Sequence, residues 1–474
     1  MDDARRRRAL FGVMLTIFLG AMESTVVATA MPTVVESLGG LAIYSWVFSG
    51  FLLTSTVTMP LWGRLSDLFG RRRMYLTGLL VFLIGSALSG AAADMPQLIA
   101  FRMLQGLGAG SLITLGMTVI GDLYGLERRA KMQGYISGVW GLASLVGPLI
   151  GGVLSDHASW RWAFYINVPF GLLAMAVIAG ALERDTRRAR PPIDYGGLVL
   201  FTVAITSLLL GLADASRAVS WMVPGVVIPL AVSAVGLAAF LFVERRAAEP
   251  IVPLRLFRSR MVSAAAVTGF LAGMAMFGAI SFVPLFVQAV SGTSATRAGF
   301  VLTPFVLGWV ALSIASARLV LRVGYRVLVV AGMVCLTAAF ALFMRWSAAL
   351  TQGEAMRDVL LAGVGMGLSM VPTLIGVQSA VARADMGAAT SMTQFFRTIG
   401  GAVGISLMGT VMARRLQADL PMVTALHGVF EVGMVVCVIA VIAAFFVPGG
   451  GARELAHADV GSGAAVGGRM RDAR

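Results

Sequence analysis

The chain has 474 residues, 58% of them apolar and 13% charged, with a mean hydropathy of +0.87. A soluble domain is about a quarter charged, and a hydrocarbon core about 30 Å thick takes roughly 20 residues per helix, so this composition calls for a polytopic membrane protein. It excludes a cytosolic enzyme with an ordinary core, a disulfide scaffold and a disordered chain. Cys335 and Cys437 lie inside apolar runs, and the three histidines form no HxxxH pair. With no P-loop either, the chain points away from metal sites, cofactors and ATP-driven pumping.

Apolar runs between charged or Gly/Pro-rich breaks predict spans near 9–31, 45–62, 74–93, 97–121, 132–154, 163–182 and 194–213, then 220–243, 262–289, 298–317, 327–346, 358–379, 388–412 and 429–447. The expected fold class is therefore all-α, with fourteen transmembrane helices. The Gly/Ala-rich stretch 448–474, with its scattered arginines, reads as a disordered cytoplasmic tail.

The net charge of +14 rests on arginine, with Lys131 the only lysine. Its clusters, Arg5 to Arg8, Arg71 to Arg73, Arg128 to Lys131, Arg184 to Arg190 and Arg245 to Arg260, all fall on one side of the predicted spans. By the positive-inside rule both termini are expected in the cytoplasm, and the basic surplus reads as topology rather than a nucleic-acid site. Arg5 to Arg8 followed by an apolar run and Ala28-Thr29-Ala30 imitates a cleavable leader. Glu23 interrupts that run, and losing the first span would invert the charge bias of all the others. Arginine in place of lysine and the Ala/Gly richness suggest a GC-rich bacterial genome, hence a bacterial cytoplasmic membrane.

Two stretches repeat. Gly63-Arg64-Leu65-Ser66-Asp67-Leu68-Phe69-Gly70-Arg71 is echoed by Ala317-Arg318-Leu319-Val320-Leu321-Arg322-Val323-Gly324-Tyr325, and Gly106-Leu107-Gly108-Ala109-Gly110 by Gly363-Val364-Gly365-Met366-Gly367. Two homologous halves of six spans follow, 9–182 and 262–447, in a pseudo-twofold arrangement, with two extra linker helices at 194–243.

An ionisable group at the bilayer midplane costs at least about 2.5 to 3.5 kcal/mol unless paired or hydrated. Inside the spans the clear cases are Glu23, Arg102 and Arg397. A desolvated carboxyl such as Glu23 can exchange a proton near neutral pH, which proton coupling requires; it can also attract a cationic substrate, and a permanent structural ion pair is the remaining alternative. Arg102 and Gln105 share a helix face and continue into a glycine run, so Glu23 and Arg102 could act as a switch. Asp67, set among arginines in the Gly63 to Arg73 loop, suits a salt bridge that locks the halves. In the fifth span Gly134, Ala143, Gly147 and Gly151 read as one small-residue face, with Pro148 and Gly152 adjoining. Met274, Phe277 and Gln288 in the next half, with Gln105, Gln394 and Arg397, are the candidate lining of a substrate cavity, Arg397 as an acceptor for an anion; the alternatives are packing or lipid contact for the Met and Phe side chains and a structural role for Arg397.

In combination these residues resemble the major facilitator superfamily, and within it the fourteen-span drug:proton antiporter branch, over residues 9 to 447. Gly63 to Arg73 is similar to the family's loop signature, and Arg102, Gln105, Gly106 and Gly108 to its fourth-span signature. Gly134, Gly147, Pro148, Gly151 and Gly152 match the antiporter signature, with Ala143 where Gly is usual. Met22 to Pro32 matches the first-span signature, with Glu23 in place of Asp and Ala28 in place of Asn. Trp160 to Pro169 and Pro284 to Gln288 are also similar to the branch. The resemblance implies alternating-access export of hydrophobic, often cationic compounds in exchange for protons. It implies coupling at Glu23 and Arg102, and gating by Gly63, Arg64, Asp67, Gly70, Arg71 and the fifth-span glycines. Protons are then the coupling ion, no cofactor is needed, and the partners are a hydrophobic small molecule and the lipid bilayer, with the chain acting as a monomer. A narrower exporter of a lipid, siderophore or amino acid uses the same scaffold, and a non-transporting sensor or assembly factor is the alternative from another class.

Overall fold

The computed structural model describes residues 2–40, 43, 46–183, 194–215, 220–247, 250–290 and 300–449. The expected disordered tail lies outside the described residues apart from its first two, as does the linker cluster Arg184 to Arg190. The helices are α1 Asp3–Leu38, α2 Trp46–Phe69, α3 Arg71–Ala91, α4 Met95–Leu123, α5 Leu126–His157, α6 Trp162–Tyr165, α7 Asn167–Ala181, α8 Tyr195–Ala215, α9 Pro224–Glu244, α10 Arg260–Ala289, α11 Thr303–Val323, α12 Tyr325–Phe343, α13 Gln352–Ser379, α14 Met386–Gln417 and α15 Met422–Ala444. No strand occurs among the described residues, as expected where lipid offers no partner to an unpaired backbone.

Twelve helical stretches among the described residues are long and apolar enough to cross a membrane, counting α6 and α7 as one. Helix α2 falls short of that measure. Helix α2 buries Thr54, Ser55, Thr56 and Thr58, whose hydroxyls bond carbonyls of their own helix, as in Thr58 to Thr54 at 2.9 Å. In α5 several side chains lie outside the described residues. Helix α1 starts earlier than the apolar run, because Asp2 caps the Arg5 amide at 2.7 Å and arginine is a good helix former. The expected span 163–182 breaks at Ile166, with Pro169 in the first turn of α7, where its missing N–H is harmless.

The packing repeats. Helix α4 lies against α2 and α3, and α5 against α1, while α13 lies against α11 and α12, and α14 against α10. The two sets meet along α2 with α14 and α5 with α11, partners that exchange under the same repeat. The echoed loops turn on Gly70 at φ 96° and Gly324 at φ 82°, where a Cβ is strained. Helices α8 and α9 pair with each other, and α8 covers the α2–α14 seam, with the Phe201 ring 5.5 Å from Phe395.

Candidate functional site

Glu23 and Arg102 come together in a fully enclosed polar cluster. They form an ion pair through Glu23 Oε1, with the two side chains 0% and 1% exposed. The other carboxylate oxygen accepts from Asn167 Nδ2 at 2.5 Å, and Asn167 also donates to Ser86 at 3.0 Å. The break before α7 is what places Asn167 here. Arg102 donates in addition to Gln105 Oε1 at 2.8 Å and to the Val47 carbonyl at 3.2 Å, and its guanidinium lies 4.1 Å from the Phe51 ring centre. Every strong partner of the carboxylate is thus supplied by α4 and α7. Removing one member of such a buried pair costs about 3 to 5 kcal/mol, since the other is left charged and dry.

A second network closes the end that carries the α2–α3 loop. Asp67 pairs with Arg71 and accepts the backbone N–H groups of Gly387 at 3.0 Å and Ala388 at 2.8 Å. Those amides open α14 and have no partner within their own helix, so the carboxylate caps a helix of the opposite repeat. Arg71 continues to Asp122 at 2.7 Å, to Ser66 at 2.6 Å and to the Arg383 carbonyl at 3.3 Å. Arg64 stands 3.6 Å from Asp385, which also binds Arg255 at 2.8 Å. Gly63 makes the closure possible: a Cβ there would sit 2.5 Å from the Gly387 carbonyl and closer still to Ser391. One turn further in, Gln378 reaches from α13 to the Met117 carbonyl of α4 at 3.1 Å.

The structure corrects three expectations. Gly134 does not share a face with Gly147 and Gly151, because nine residues from 134 to 143 amount to half a turn at about 100° each. Gly134 meets Ile314 of α11, whereas a Cβ at Gly147 or Gly151 would strike Thr25 or Thr29 of α1. Pro148 and Gly152 are helical, but their surroundings lie outside the described residues. The proposed cavity lining also divides. Gln105 belongs to the Glu23 cluster, Met274 and Phe277 pack on Gly404 and Gly401 of α14, and Gln288 is exposed at the end of α10. Gln394 reaches the other repeat, its Nε2 3.1 Å from Met117 Sδ of α4, while Arg397 touches Met370 of α13 in its own repeat. Lastly, Glu23 has no exposed edge to attract a cation.

Sequence reasoning gave no role to Asn167, Asp122, Asp385 or Gly387. Asp122 and Asp385 end or precede apolar runs, a position that marks them as boundary acids. It also passed over Glu244 at the end of α9, which is 3% exposed and accepts the Val252 N–H, and Asp194, whose Oδ1 caps Gly197 at 2.8 Å.

The family model of the major facilitator superfamily matches residues 13–405, which contain the Glu23 cluster, the α2–α3 loop and the seam. The chain belongs to the major facilitator superfamily. This facilitator is 37% identical over 413 residues to the multidrug transporter protein MdtP of Bacillus subtilis, covering 87% of this chain and 76% of that protein. It is 35% identical over 409 residues to multidrug resistance protein 3 of the same organism, covering 86% and 80%. Its fold is similar to that of the proton:xylose symporter XylE, with a TM-score of 0.68 at 13% identity over 95% of this chain and 97% of that one. The facilitator is accordingly a multi-pass membrane transporter and not an enzyme.

Proposed function

We propose that this facilitator exports hydrophobic compounds across a bacterial cytoplasmic membrane in exchange for protons, by alternating access. The observation that carries the reading is the enclosed carboxylate of Glu23, held by Arg102 and Asn167. A proton on Glu23 releases Arg102, which keeps Gln105, the Val47 carbonyl and the Phe51 ring as partners, so one protonation redistributes bonds among α1, α2, α4 and α7. Work is extracted when proton and substrate bind the two access states with different affinity.

In this reading the chain is a monomer of fourteen spans, with α2 and α5 among them and both termini cytoplasmic. Residues 9–182 and 262–447 form the moving bundles, and 194–243 is a linker pair. The Asp67 network is the cytoplasmic gate, here closed, and Gln394 and Arg397 face the substrate path. The multidrug relatives support drugs or natural products as cargo. A narrower exporter of a lipid, siderophore or amino acid has the same machinery and differs in the number of compounds accepted.

In proteoliposomes with an imposed pH gradient, the wild type is expected to move a fluorescent hydrophobic substrate and to dissipate the gradient as it does so. Glu23→Gln is expected to fold, bind substrate and lose gradient-driven flux. Undiminished driven flux in that variant rejects Glu23 as the coupling acid.

A further inference from the structure

Arg397 is a charge without a counter-ion among the described residues. It lies in α14, and among the described residues no carboxylate reaches it; Nη1 touches only the Met370 sulfur of α13 at 3.2 Å, and Nε is buried with no partner. A thioether is a weak acceptor, so neither contact replaces a carboxylate. Two other deep charges are neutralised, Glu23 by Arg102, and Asp67 by Arg71 with two amides. A cation at such depth without pairing is costly, and in membrane proteins it is held for a ligand or an ion path.

Its surroundings say where that ligand lies. Gln394 is one turn earlier on the same face, and it touches Met117 of α4, while Arg397 touches Met370 of α13. Both side chains therefore point into the space between α4 and α13, just beyond the closed contact of Gln378 with Met117. Arg397 is only partly accessible, and its Nε is enclosed. The thioethers of Met117 and Met370 give the same space a polarizable apolar wall.

We infer that Arg397, with Gln394 beside it, is an anion subsite, and that the preferred substrates are amphiphiles carrying a carboxylate, sulfonate or phosphate on an apolar body. The claim about exported compounds rests on the export reading above and names its substrate class. The guanidinium offers a planar pair of donors to such a group, and the sulfur walls take the apolar part.

The test uses two probes that differ by one sulfonate, anilinonaphthalene sulfonate and uncharged N-phenylnaphthylamine, titrated calorimetrically into the full chain in zwitterionic-lipid nanodiscs, with empty nanodiscs as blank. Arg397→Gln is expected to weaken the sulfonate roughly tenfold to a hundredfold while leaving the amine within about twofold. Arg397→Lys keeps the charge and is expected to recover much of the sulfonate affinity. The unchanged amine shows that the variants are folded. Equal weakening of both probes, or no weakening of either, overturns the subsite. Wild-type protein that prefers the sulfonate yet moves neither probe under a pH gradient refutes the export reading and leaves the subsite; gradient-driven flux of the amine that exceeds that of the sulfonate does the reverse.

Discussion

The contact most open to a quantitative test is Asp67 on the first turn of α14. In Asp67→Asn the carboxylate is replaced by a group of the same shape with one acceptor and one donor. Its carbonyl oxygen can still accept one of the two amides, of Gly387 or Ala388, but its NH2 then faces the other N–H or Arg71. One charge-assisted hydrogen bond is lost, worth about 1.5 to 3 kcal/mol. The ion pair is lost too, but Arg71 retains Asp122 at 2.7 Å and Ser66 at 2.6 Å, so the larger penalty of stranding a buried cation is avoided. A net of about 2 to 3 kcal/mol against the closed seam shifts the closed-to-open ratio by roughly 30- to 150-fold. Spin labels at Arg73→Cys and Ala384→Cys, both exposed at this end, in a background without Cys335 and Cys437, report the separation by double electron–electron resonance. The Asn variant is expected to gain a longer-distance population. Gly387→Ala should do the same by a different cause, since its Cβ would stand 2.7 Å from Arg71 Nη1 and 2.8 Å from Asp67 Oδ1. Parent-like distances in both variants refute the assignment of the seam to this capping contact.

Other outcomes follow from the same packing. Glu244→Ala removes the acceptor of the Val252 amide, so the segment between α9 and α10 is expected to open about five- to a hundredfold more often, read as faster tryptic cleavage at the exposed Arg255; Glu244→Gln retains an acceptor and should cleave like the parent. An unchanged cleavage rate in the Ala variant shows that the segment is held elsewhere. Gly147→Ala drives a Cβ into Thr25 Oγ1 and is expected to destabilise the α1–α5 contact by about 1 to 3 kcal/mol, seen as a lower melting temperature. Thr25→Ala in the same chain makes room, so the double variant should melt above the single one; strictly additive losses in that cycle place the strain outside this contact.

Much of the site was legible one residue at a time. Glu23, Arg102 and Asp67 stood out because charge is scarce in an apolar chain, and their rarity survives any packing. Their partners did not stand out. Asn167 and Gly387 are ordinary residue types, and their importance comes from the break before α7 and from the close approach of α2 to α14. The glycines of α5 show the opposite error, since a pattern read as one face serves two helices, α11 at Gly134 and α1 at Gly147 and Gly151. Met274 and Phe277 could be read as a flexible lining or as packing, because an aromatic or thioether side chain at helical spacing has the same signature in either use, and they pack on Gly404 and Gly401.

The sequence by itself determined that this is an all-helical membrane chain built on a repeat. Hydropathy and the helix period act locally, and lipid leaves the backbone no alternative to internal hydrogen bonding. Only the tertiary structure decided which charges are satisfied. Whether an arginine is neutral in effect depends on what stands within about 4 Å, and that is set by helices distant in the chain. Arg102 meets its acid across 79 residues, and Arg397 meets none among the described residues.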